Sequence, residues 1–337
     1  MVSDAQIIDT KPLGDLVEKI VGGGTPSRKK LEFYNGNIPW ATVKDLRGQF
    51  LQETLEYISE DAIRESSANL IDKGNVILAT RMALGKAFIN LVDMAINQDL
   101  KALYPKPFID SKFLLYAILN KAKKIERQGS GTTVKGIRLE NLRAIPIDVP
   151  PLKEQQKIAA ILSSVDKAIE QTKQIIEQTE KVKKGLMQQL LTKGIGHTEF
   201  KKTAIGEVPK EWELSPFTDA VNINPTYHIE KGTEVEFVEM AAVNTDSPHI
   251  SYFVKRIVGK SGGTRFKNND VLFARITPCT ENGKTALISE LTSDVGMGST
   301  EFIVLSPIKS KMVPTYLYYI AKYWRIRNKR PDRMWKI

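Results

Sequence analysis

Residues 150–194 read PPLKEQQKIAAILSSVDKAIEQTKQIIEQTEKVKKGLMQQLLTKG, and this stretch predicts one long helix that organises the chain. Its apolar side chains recur in alternating steps of three and four residues, with one slip near Val182, which predicts a narrow seam along one helix. Pro150 and Pro151 suit the helix entry, where no N–H is needed, and Gly194 suits its exit. About 40 residues at about 1.5 Å each would form a rod roughly 60 Å long. The seam residues are Ile158, Leu162, Val165, Ile169, Ile176, Val182, Leu186 and Leu190.

The composition indicates a folded chain with a polyanionic partner. The chain has 337 residues, of which 42% are hydrophobic and 26% are charged, as is typical of globular domains. Its 49 lysine and arginine residues against 39 acidic residues give a net charge of +10. This excess favours nucleic acid over a membrane as the partner, and a merely basic protein is the alternative on charge alone.

Targeting and redox signals are those of an intracellular protein. No apolar run approaches the ~20 residues that span a bilayer, and the N-terminus MVSDAQIIDT lacks the segments of a signal peptide. Cys279 is the single cysteine, which excludes an internal disulfide and argues against a cysteine-based zinc site. We therefore expect a cytoplasmic location without a membrane partner.

The blocks before and after the long helix share four segments in the same order, which predicts a duplicated domain. DKGNVILATR (72–81) overlays FKNNDVLFAR (266–275), and Gly85-Lys86-Ala87 overlays Gly283-Lys284-Thr285. NQDLKALYP (97–105) overlays GSTEFIVLSP (298–307), and FLLYAIL (113–119) overlays YLYYIA (316–321). The sequence thus predicts an α/β (α+β) fold, with two related globular domains separated by a coiled-coil-type helix. The predicted bounds are 1–149 for the first domain, 150–194 for the helix, 195–204 for a linker and 205–337 for the second domain.

The N-terminal block contains two candidate segments. Gly22, Gly23 and Gly24 precede basic residues, and we interpret them as a helix stop and turn after a short helix at 15–21; a backbone cradle for phosphate is the alternative. Residues 38–43 alternate as a short strand in which Trp40 is expected to be a core anchor. If this strand continues, Thr42 and Lys44 lie at two-residue spacing from Trp40, on the same face of the strand, and would face a ligand.

The remaining candidates are polar and basic residues at strand ends and loops of both blocks. Arginine, glutamine and lysine side chains read base edges in the major groove, and serine and threonine often hold phosphates. Each residue alone is expected to be an ordinary surface position, but their recurrence in two copies favours a DNA-binding site. Together with Thr42 and Lys44, the predicted DNA-binding residues are Thr80, Arg81, Lys86, Gln98, Thr132, Thr133, Lys135, Arg275, Thr277, Lys284 and Thr300.

Motifs for chemistry are missing from the sequence. His197, His228 and His249 share no metal-ligand spacing, and no Walker A motif, nucleophile elbow or HExxH occurs. Residues 224–227 read NPTY, which lacks the second proline of the adenine methyltransferase loop, and no glycine-rich cofactor turn accompanies it. We predict no catalytic residue and no metal site in this chain.

The sequence resembles the specificity subunit of type I restriction-modification enzymes. The resemblance is carried by GGGTPS (22–27), IPWATVKDL (38–46), GSGTTVKGI (129–137) and above all LENLRAIPIDVPPLKEQQKIAAIL (139–162). The restart IGEVPKEWE (205–213) resembles the start of the second recognition domain of that family. The match extends to about residue 325.

The resemblance implies two target-recognition domains that each read one half of a bipartite sequence in double-stranded DNA. It implies two long helices that pair antiparallel, and a chain without catalysis of its own. The implied partners are adenine methyltransferase subunits, expected to be two, and restriction/translocase subunits bound through them. S-adenosylmethionine, ATP and Mg would belong to those partner subunits and not to this chain.

The C-terminal end departs from the family pattern. After YLYYIAKYWRIRNK the family continues with a second passage like 139–162 and a second long helix, whereas this sequence ends RPDRMWKI. We therefore expect a chain truncated in its second domain, with a helix seam that self-association or another chain must fill. A coiled-coil assembly protein and a self-sufficient methyltransferase are the alternative functions, the latter disfavoured by its missing motifs.

Overall fold

A computed structural model of the chain describes residues 9–131, 135–259 and 262–327, with side chains as far as residue 323. The fold class is mixed α and β as predicted, with β-sheets before and after one long helix in the sequence. The chain divides into two compact units, residues 1–174 and 175–337, and the boundary falls inside the long helix. Among the helices in the described ranges, none is both long and apolar enough to cross a bilayer.

The first unit contains, in chain order, β1 (Asp9–Pro12), α1 (Leu13–Leu16), β2 (Val17–Gly22), β3 (Ile38–Ala41), β4 (Phe50–Leu51), β5 (Tyr57–Ile58), α2 (Glu60–Arg64), β6 (Asn69–Ile71), β7 (Val76–Ala79), β8 (Ala87–Asn90), β9 (Met94–Ile96), β10 (Leu100–Pro105), α3 (Ser111–Asn120), α4 (Ala122–Arg127), α5 (Leu139–Arg143), β11 (Pro146–Val149) and the start of α6 (Leu152–Lys193). Its main sheet has the order β2-β10-β7-β8-β4, and a second sheet has the order β5-β3-β9-β6. Strands β1 and β11 form a separate antiparallel pair.

Strand β7 shows how the first unit is layered. All four of its residues are buried, because successive side chains point to opposite faces of a sheet that is covered on both sides. Val76 and Leu78 belong to the apolar cluster that contains Leu114 of α3. Ile77 belongs to the cluster that contains Ile96 of the second sheet. The main sheet therefore lies between α3 and the second sheet.

The second unit continues with the C-terminal part of α6, followed by β12 (Phe200–Thr203), β13 (Gly206–Pro209), β14 (Val221–Ile223), β15 (Glu234–Val238), β16 (Val254–Ile257), β17 (Thr264–Phe266), β18 (Val271–Ala274), β19 (Thr285–Leu287), β20 (Gly296–Gly298), β21 (Phe302–Pro307) and α7 (Pro314–Arg327). Its two larger sheets have the orders β14-β21-β18-β19 and β16-β15-β20-β17. Strand β18 repeats the alternation of β7: Phe273 packs with Leu317 of α7, and Leu272 packs with Val238 of β15.

Apart from β4 at the edge of the first main sheet, the two larger sheets of each unit have the same strand order. In each second sheet the two central strands are parallel and both outer pairs are antiparallel. In each main sheet the strand that corresponds to β7 lies between antiparallel neighbours. The duplication inferred from four short segments is therefore present in the backbone pairing itself.

Backbone hydrogen bonds correct the predicted alignment by one residue. Thr80 N donates to Asp99 O at 2.8 Å, and Arg275 N donates to Glu301 O at 3.0 Å. Arg275 thus occupies the backbone position of Thr80 and not that of Arg81. The ungapped overlay matched the two arginines by identity, whereas pairing between strands fixes the register.

Several local predictions fail where long-range pairing decides the structure. The predicted helix at 15–21 is wrong: α1 ends at Leu16, and the β-branched residues that follow form β2 against β10. The prediction of a mostly helical segment at 50–70 is wrong except for α2, where Ser59 is the N-cap as expected. The predicted strand at 38–43 ends at Ala41. Thr42 and Lys44 therefore do not lie on the same strand face as Trp40, as the prediction required.

The long helix is confirmed as α6, and its first turns are fixed to the first unit. Gln155 is 1% exposed. Its Oε1 accepts from Asp110 N at 2.9 Å, and its Nε2 donates to Phe108 O at 3.1 Å and Pro150 O at 2.8 Å. Two turns further along, the hydroxyl of Tyr116 on α3 contacts Asp166 and Ser163 of the helix.

Replacing Tyr116 with phenylalanine is expected to lower the free energy of unfolding by about 1 kcal/mol, because the hydroxyl donates to Asp166 Oδ2 at 2.6 Å. Burial, followed by the bond to Asp166, raises the pKa of Tyr116 to about 12. Chemical denaturation of the full chain measures the loss. The matched control is Tyr57→Phe on β5, and equal losses in the two variants would contradict a specific role for the Tyr116 contact.

Beyond this anchor, α6 presents an apolar face that is wider than the predicted narrow seam. Ile158 is half-buried, and the other seam residues are exposed. Ile161 and Ile175 are exposed as well, and with Ala168 and Val182 they form a column at seven-residue spacing beside the seam. A face three columns wide is typical of a helix that packs in a bundle, whereas a two-stranded coiled coil needs two.

Candidate nucleic-acid interface

In the first unit, the turn between β9 and β10 brings predicted residues together at the end of β7. Asn97 N donates to Ala41 O at 2.9 Å, and Leu100 N donates to Asn97 O at 3.2 Å, which closes the turn. Gln98 at its tip is exposed, and its side chain accepts a hydrogen bond from the Thr25 hydroxyl. We call residues 97–99 the first polar turn.

Asp99 pairs with Arg81 beside this turn. Arg81 Nη1 lies 3.5 Å from Asp99 Oδ1, and the arginine side chain is 49% exposed against 10% for the aspartate. The other carboxylate oxygen accepts from Asn97 Nδ2 at 3.0 Å, so the carboxylate is held from two sides. Lys101 is close enough for its pKa to respond: burial lowers it, Asp99 opposes that shift and Arg81 adds to it. The guanidinium of Arg81 is thus exposed to solvent, and the carboxylate that it contacts is held in place.

The other predicted residues of the first unit have varied environments. Thr80 is 5% exposed, and its hydroxyl donates to Asp99 O at 3.2 Å, so it holds the turn from inside. Thr42 caps the short 3₁₀ helix Val43–Asp45 and donates to Asp45 Oδ2 at 2.9 Å. Lys44, Lys86 and Lys135 are exposed. Thr132 and Thr133 lie outside the described residues.

The second unit repeats the turn between β20 and β21. Phe302 N donates to Ser299 O at 3.2 Å, and Ser299 Oγ accepts from Glu301 N at 3.3 Å. Arg275 Nε donates to Glu301 Oε2 at 3.2 Å, with the arginine side chain 57% exposed and the glutamate 35%. Thr300 is exposed at the position of Gln98. We call residues 299–301 the second polar turn.

Two further predicted residues of the second unit behave differently from each other. Thr277 is exposed, two residues beyond Arg275. Lys284 is half-buried, and its Nζ donates to the carbonyl of Met240 at 2.6 Å. The ammonium of Lys284 is thus already hydrogen-bonded to the second unit, whereas Lys86 at the matching backbone position is exposed.

The glycine run is explained by close packing. A Cβ on Gly23 would lie 1.9 Å from Ile96 O, and one on Gly24 would lie 2.0 Å from Ser67 Oγ. Gly24 N donates to Ile96 O at 3.0 Å, so this N–H is already used. The carbonyl of Gly24 accepts from Trp40 Nε1 at 3.1 Å, and Trp40 is buried as the predicted core anchor. These contacts favour the structural interpretation of the run over a phosphate cradle.

Sequence reasoning missed the acidic partners of the two arginines. A search for basic and hydroxyl residues passes over Asp99 and Glu301, although both follow an exposed polar residue at the matching place in each repeat. Arg28, one of the basic residues beside the glycine run, pairs with Glu56 at 2.8 Å and lies over the ring of Tyr34. Within the described ranges, no group of three or more His, Cys, Asp or Glu side chains is arranged to hold a metal ion.

In the second unit, the end of α6 lines an open apolar groove of about 760 Å³. Val182, Leu186 and Leu190 form one side of the groove, and Trp212 and Tyr319 contribute aromatic rings. The lower part of the predicted seam is therefore a concave apolar surface with exposed side chains.

The sequence is similar to known proteins of one family. The sequence matches the family profile described as "Type I restriction modification DNA specificity domain" over residues 8–181. The type I restriction enzyme MjaIX specificity subunit of Methanocaldococcus jannaschii is 29% identical over 262 residues, which is 74% of this chain and 58% of that protein. The EcoR124I/EcoR124II specificity subunit of Escherichia coli is 35% identical over 167 residues, 47% of this chain and 41% of that protein. The chain spans about half the length of these curated relatives.

Solved structures support the same fold. The crystal structure of a type I restriction-modification system S subunit from M. genitalium has a TM-score of 0.57 at 14% identity, covering 98% of this chain and 80% of that chain. A chain from a study of complex assembly and conformational transition of the type I restriction-modification system has a TM-score of 0.54 at 14% identity, covering 96% and 81%. At this identity the likeness concerns the fold alone. Because the family profile covers more than half of the sequence, this chain belongs to the type I restriction-modification DNA specificity domain family.

Proposed function

We propose that this chain is a non-catalytic DNA sequence-recognition subunit that reads a bipartite target in double-stranded DNA. The observation that carries the proposal is the repeated polar turn, with its exposed arginine and exposed polar tip, in two units whose larger sheets share their strand order apart from β4. In this proposal residues 1–149 and 205–337 are the recognition domains, 150–194 the spacer helix and 195–204 a linker. The exposed predicted residues at these turns, Arg81, Gln98, Arg275 and Thr300, contact the DNA.

We further propose that α6 is the docking surface for two adenine methyltransferase subunits, and through them for restriction subunits. The support is the exposed apolar face of the helix, since an apolar surface of this extent on a folded protein is typical of an interaction site. S-adenosylmethionine, ATP and Mg would then be held by those partners. A location in the cytoplasm, where the DNA is accessible, follows from the same proposal.

The same apolar face favours one competing function, a coiled-coil assembly protein in which α6 pairs with a second copy. The two functions differ in their response to salt and DNA. Oligomers that form without DNA and resist salt would favour assembly, because apolar contacts are not screened, whereas phosphate contacts are.

Co-expression with the cognate methyltransferase subunit, followed by mapping of methylated adenines, tests the proposed function. A bipartite methylated motif is expected if both recognition domains work. A palindromic motif would indicate two first domains brought together by α6. As a control, the methyltransferase must be active when it is combined with another specificity subunit. If it then methylates no defined sequence with this chain, the proposal is contradicted.

Replacing Lys44 with alanine is expected to reduce the salt dependence of DNA binding, and Lys135→Ala is expected to act in the same way. The slope of log K against log salt concentration is negative, and each phosphate contact that is lost reduces its magnitude by about 0.9. Fluorescence anisotropy with a methylation-site duplex at several salt concentrations measures the slope. Lys157→Ala, on the exposed side of α6, removes the same charge and should leave the slope unchanged. If all variants had the slope of the parent chain, neither Lys44 nor Lys135 would contact the DNA phosphates.

A further inference from the structure

The two polar turns place an acidic residue at the same point of the fold. Asp99 and Glu301 both accept, through their carbonyl oxygens, the N–H of the residue that follows a central strand. Both have an N–H that donates to the side chain two residues earlier, Asn97 Oδ1 at 3.1 Å and Ser299 Oγ at 3.3 Å. The acidic position is therefore equivalent in the two units by backbone geometry.

The paired arginines are not equivalent by backbone geometry. Arg275 is the first residue after its strand, whereas Arg81 is the second residue after its strand. The reach of the side chains compensates: the longer Glu301 meets Arg275 at Nε, which is closer to the backbone, and the shorter Asp99 meets Arg81 at Nη1, at the tip of the side chain. Each unit thus has a guanidinium paired with a carboxylate at its turn, although the residues that form the pair differ between the units.

Stability gives little reason for such a pair. Ion pairs with an exposed arginine contribute little to folding, because the charges are screened and long side chains lose entropy. On a surface that binds DNA, a carboxylate also repels the phosphates. A repeated acid at this place is therefore explained better by an effect on the orientation of the arginine.

The geometry leaves the arginines able to bind a base. Arg275 uses its Nε for Glu301, so both of its Nη groups are available as a fork. Arg81 approaches Asp99 through one Nη at 3.5 Å, and the carboxylate is itself fixed by Asn97. A guanidinium fork matches O6 and N7 of guanine in the major groove, and a guanidinium that is oriented in advance loses less entropy on binding.

We propose that each acid–arginine pair specifies one G·C base pair, one in each half of the DNA target. Arg81 and Arg275 donate to the guanine edge, and Asp99 and Glu301 are positioning residues that hold each guanidinium in register. This inference rests on the proposed DNA-recognition function. It adds the chemistry of one base in each half-site and assigns a role to two acids that repel DNA.

The test uses the full chain with its methyltransferase subunit and selection of bound duplexes from a randomised library. A guanine at one fixed position in each half is expected. Asp99→Asn should lower discrimination at that position about tenfold in one half, and Glu301→Gln should do so in the other half. Both variants should bind random DNA as tightly as the parent or more tightly, because a negative charge near the phosphates is removed. A merely structural role would weaken both kinds of binding together.

Matched controls are acid-to-amide changes in exposed ion pairs away from the turns. Asp61→Asn removes the partner of Arg64 in α2, and Glu234→Gln removes the partner of Lys255 at 3.0 Å. Neither should alter the selected motif. Arg81→Lys and Arg275→Lys keep the charge and should lose the guanine preference at the affected position, which covers the case in which an amide variant does not fold.

The outcomes separate the two levels of the proposal. A parent complex that selects no sequence would overturn the DNA-recognition function itself. A parent complex that selects a bipartite motif, with variants at Asp99 and Glu301 that select the same motif with the same discrimination, would overturn only the role of the pairs. A motif without guanine in either half would do the same.

Discussion

Gln155→Ala is expected to destabilise the first unit by about 3 kcal/mol, although the substitution lies on a helix whose other face is exposed. The side chain of Gln155 satisfies the N–H of Asp110 and the carbonyls of Phe108 and Pro150. Alanine would leave these backbone groups buried without partners, and each such group costs about 1–3 kcal/mol unless water reaches it. The start of α6 would then separate from the α3 side of the unit.

Chemical denaturation and amide hydrogen exchange of the full chain measure this effect. Exchange at the Asp110 amide should accelerate, because its acceptor is removed. Gln156→Ala is the matched control, since the neighbouring glutamine is exposed and the change in helix propensity is the same. Equal stability of the two variants would show that the buried amide of Gln155 contributes no net stabilisation.

This contact also explains part of the sequence signature at 139–162, which contains Gln155. Pro150 ends the run from β11 into the helix and supplies one of the carbonyls that Gln155 binds. The glutamine therefore fixes the angle at which α6 leaves its domain. In the proposed role of α6 as a spacer, a rigidly held end would be needed to set the distance between the two recognition domains.

The sequence predicted the elements whose pattern is local. The seam of α6 follows a helical repeat over many turns. Strand β2 was misread because Leu16 and Ile20 are spaced like a helix face, while its true partner, β10, lies some 80 residues away in sequence. Gly23 and Gly24 likewise depend on contacts with distant residues that no local pattern contains.

The candidate interface was predicted in part by the repeat. Comparing the two halves singled out Gln98, Thr300 and both arginines, and the structure brings them to equivalent turns. The burial of Thr80 was not predictable, because it depends on the turn that folds over it. The acids were missed because a search guided by DNA charge rejects carboxylates, although a carboxylate that orients an arginine is compatible with DNA binding.

The second large effect is expected on α6, where Ile169→Glu combined with Ile176→Glu should abolish assembly with the methyltransferase subunit. These side chains are 49% and 53% exposed, so the isolated chain should keep its stability. Burying an isoleucine against a partner contributes about 1.5–3 kcal/mol, and two lost contacts with buried charge predict a fall in affinity of more than about 100-fold. Co-purification and sedimentation of the mixed subunits measure it.

The control places the same change in charge on the opposite face of the helix. Gln174→Glu with Lys181→Gln shifts the net charge by two units, as the double isoleucine variant does, on residues that are exposed and outside the apolar columns. Assembly that survives in both variants would mean that the apolar face of α6 does not bind the methyltransferase. Loss of self-association in the isoleucine variant, with methyltransferase binding intact, would instead assign the face to a second copy of the chain. The three-column width of the face argues that more than one partner helix covers it, because a single helix would leave Ile161 or Ile175 in water.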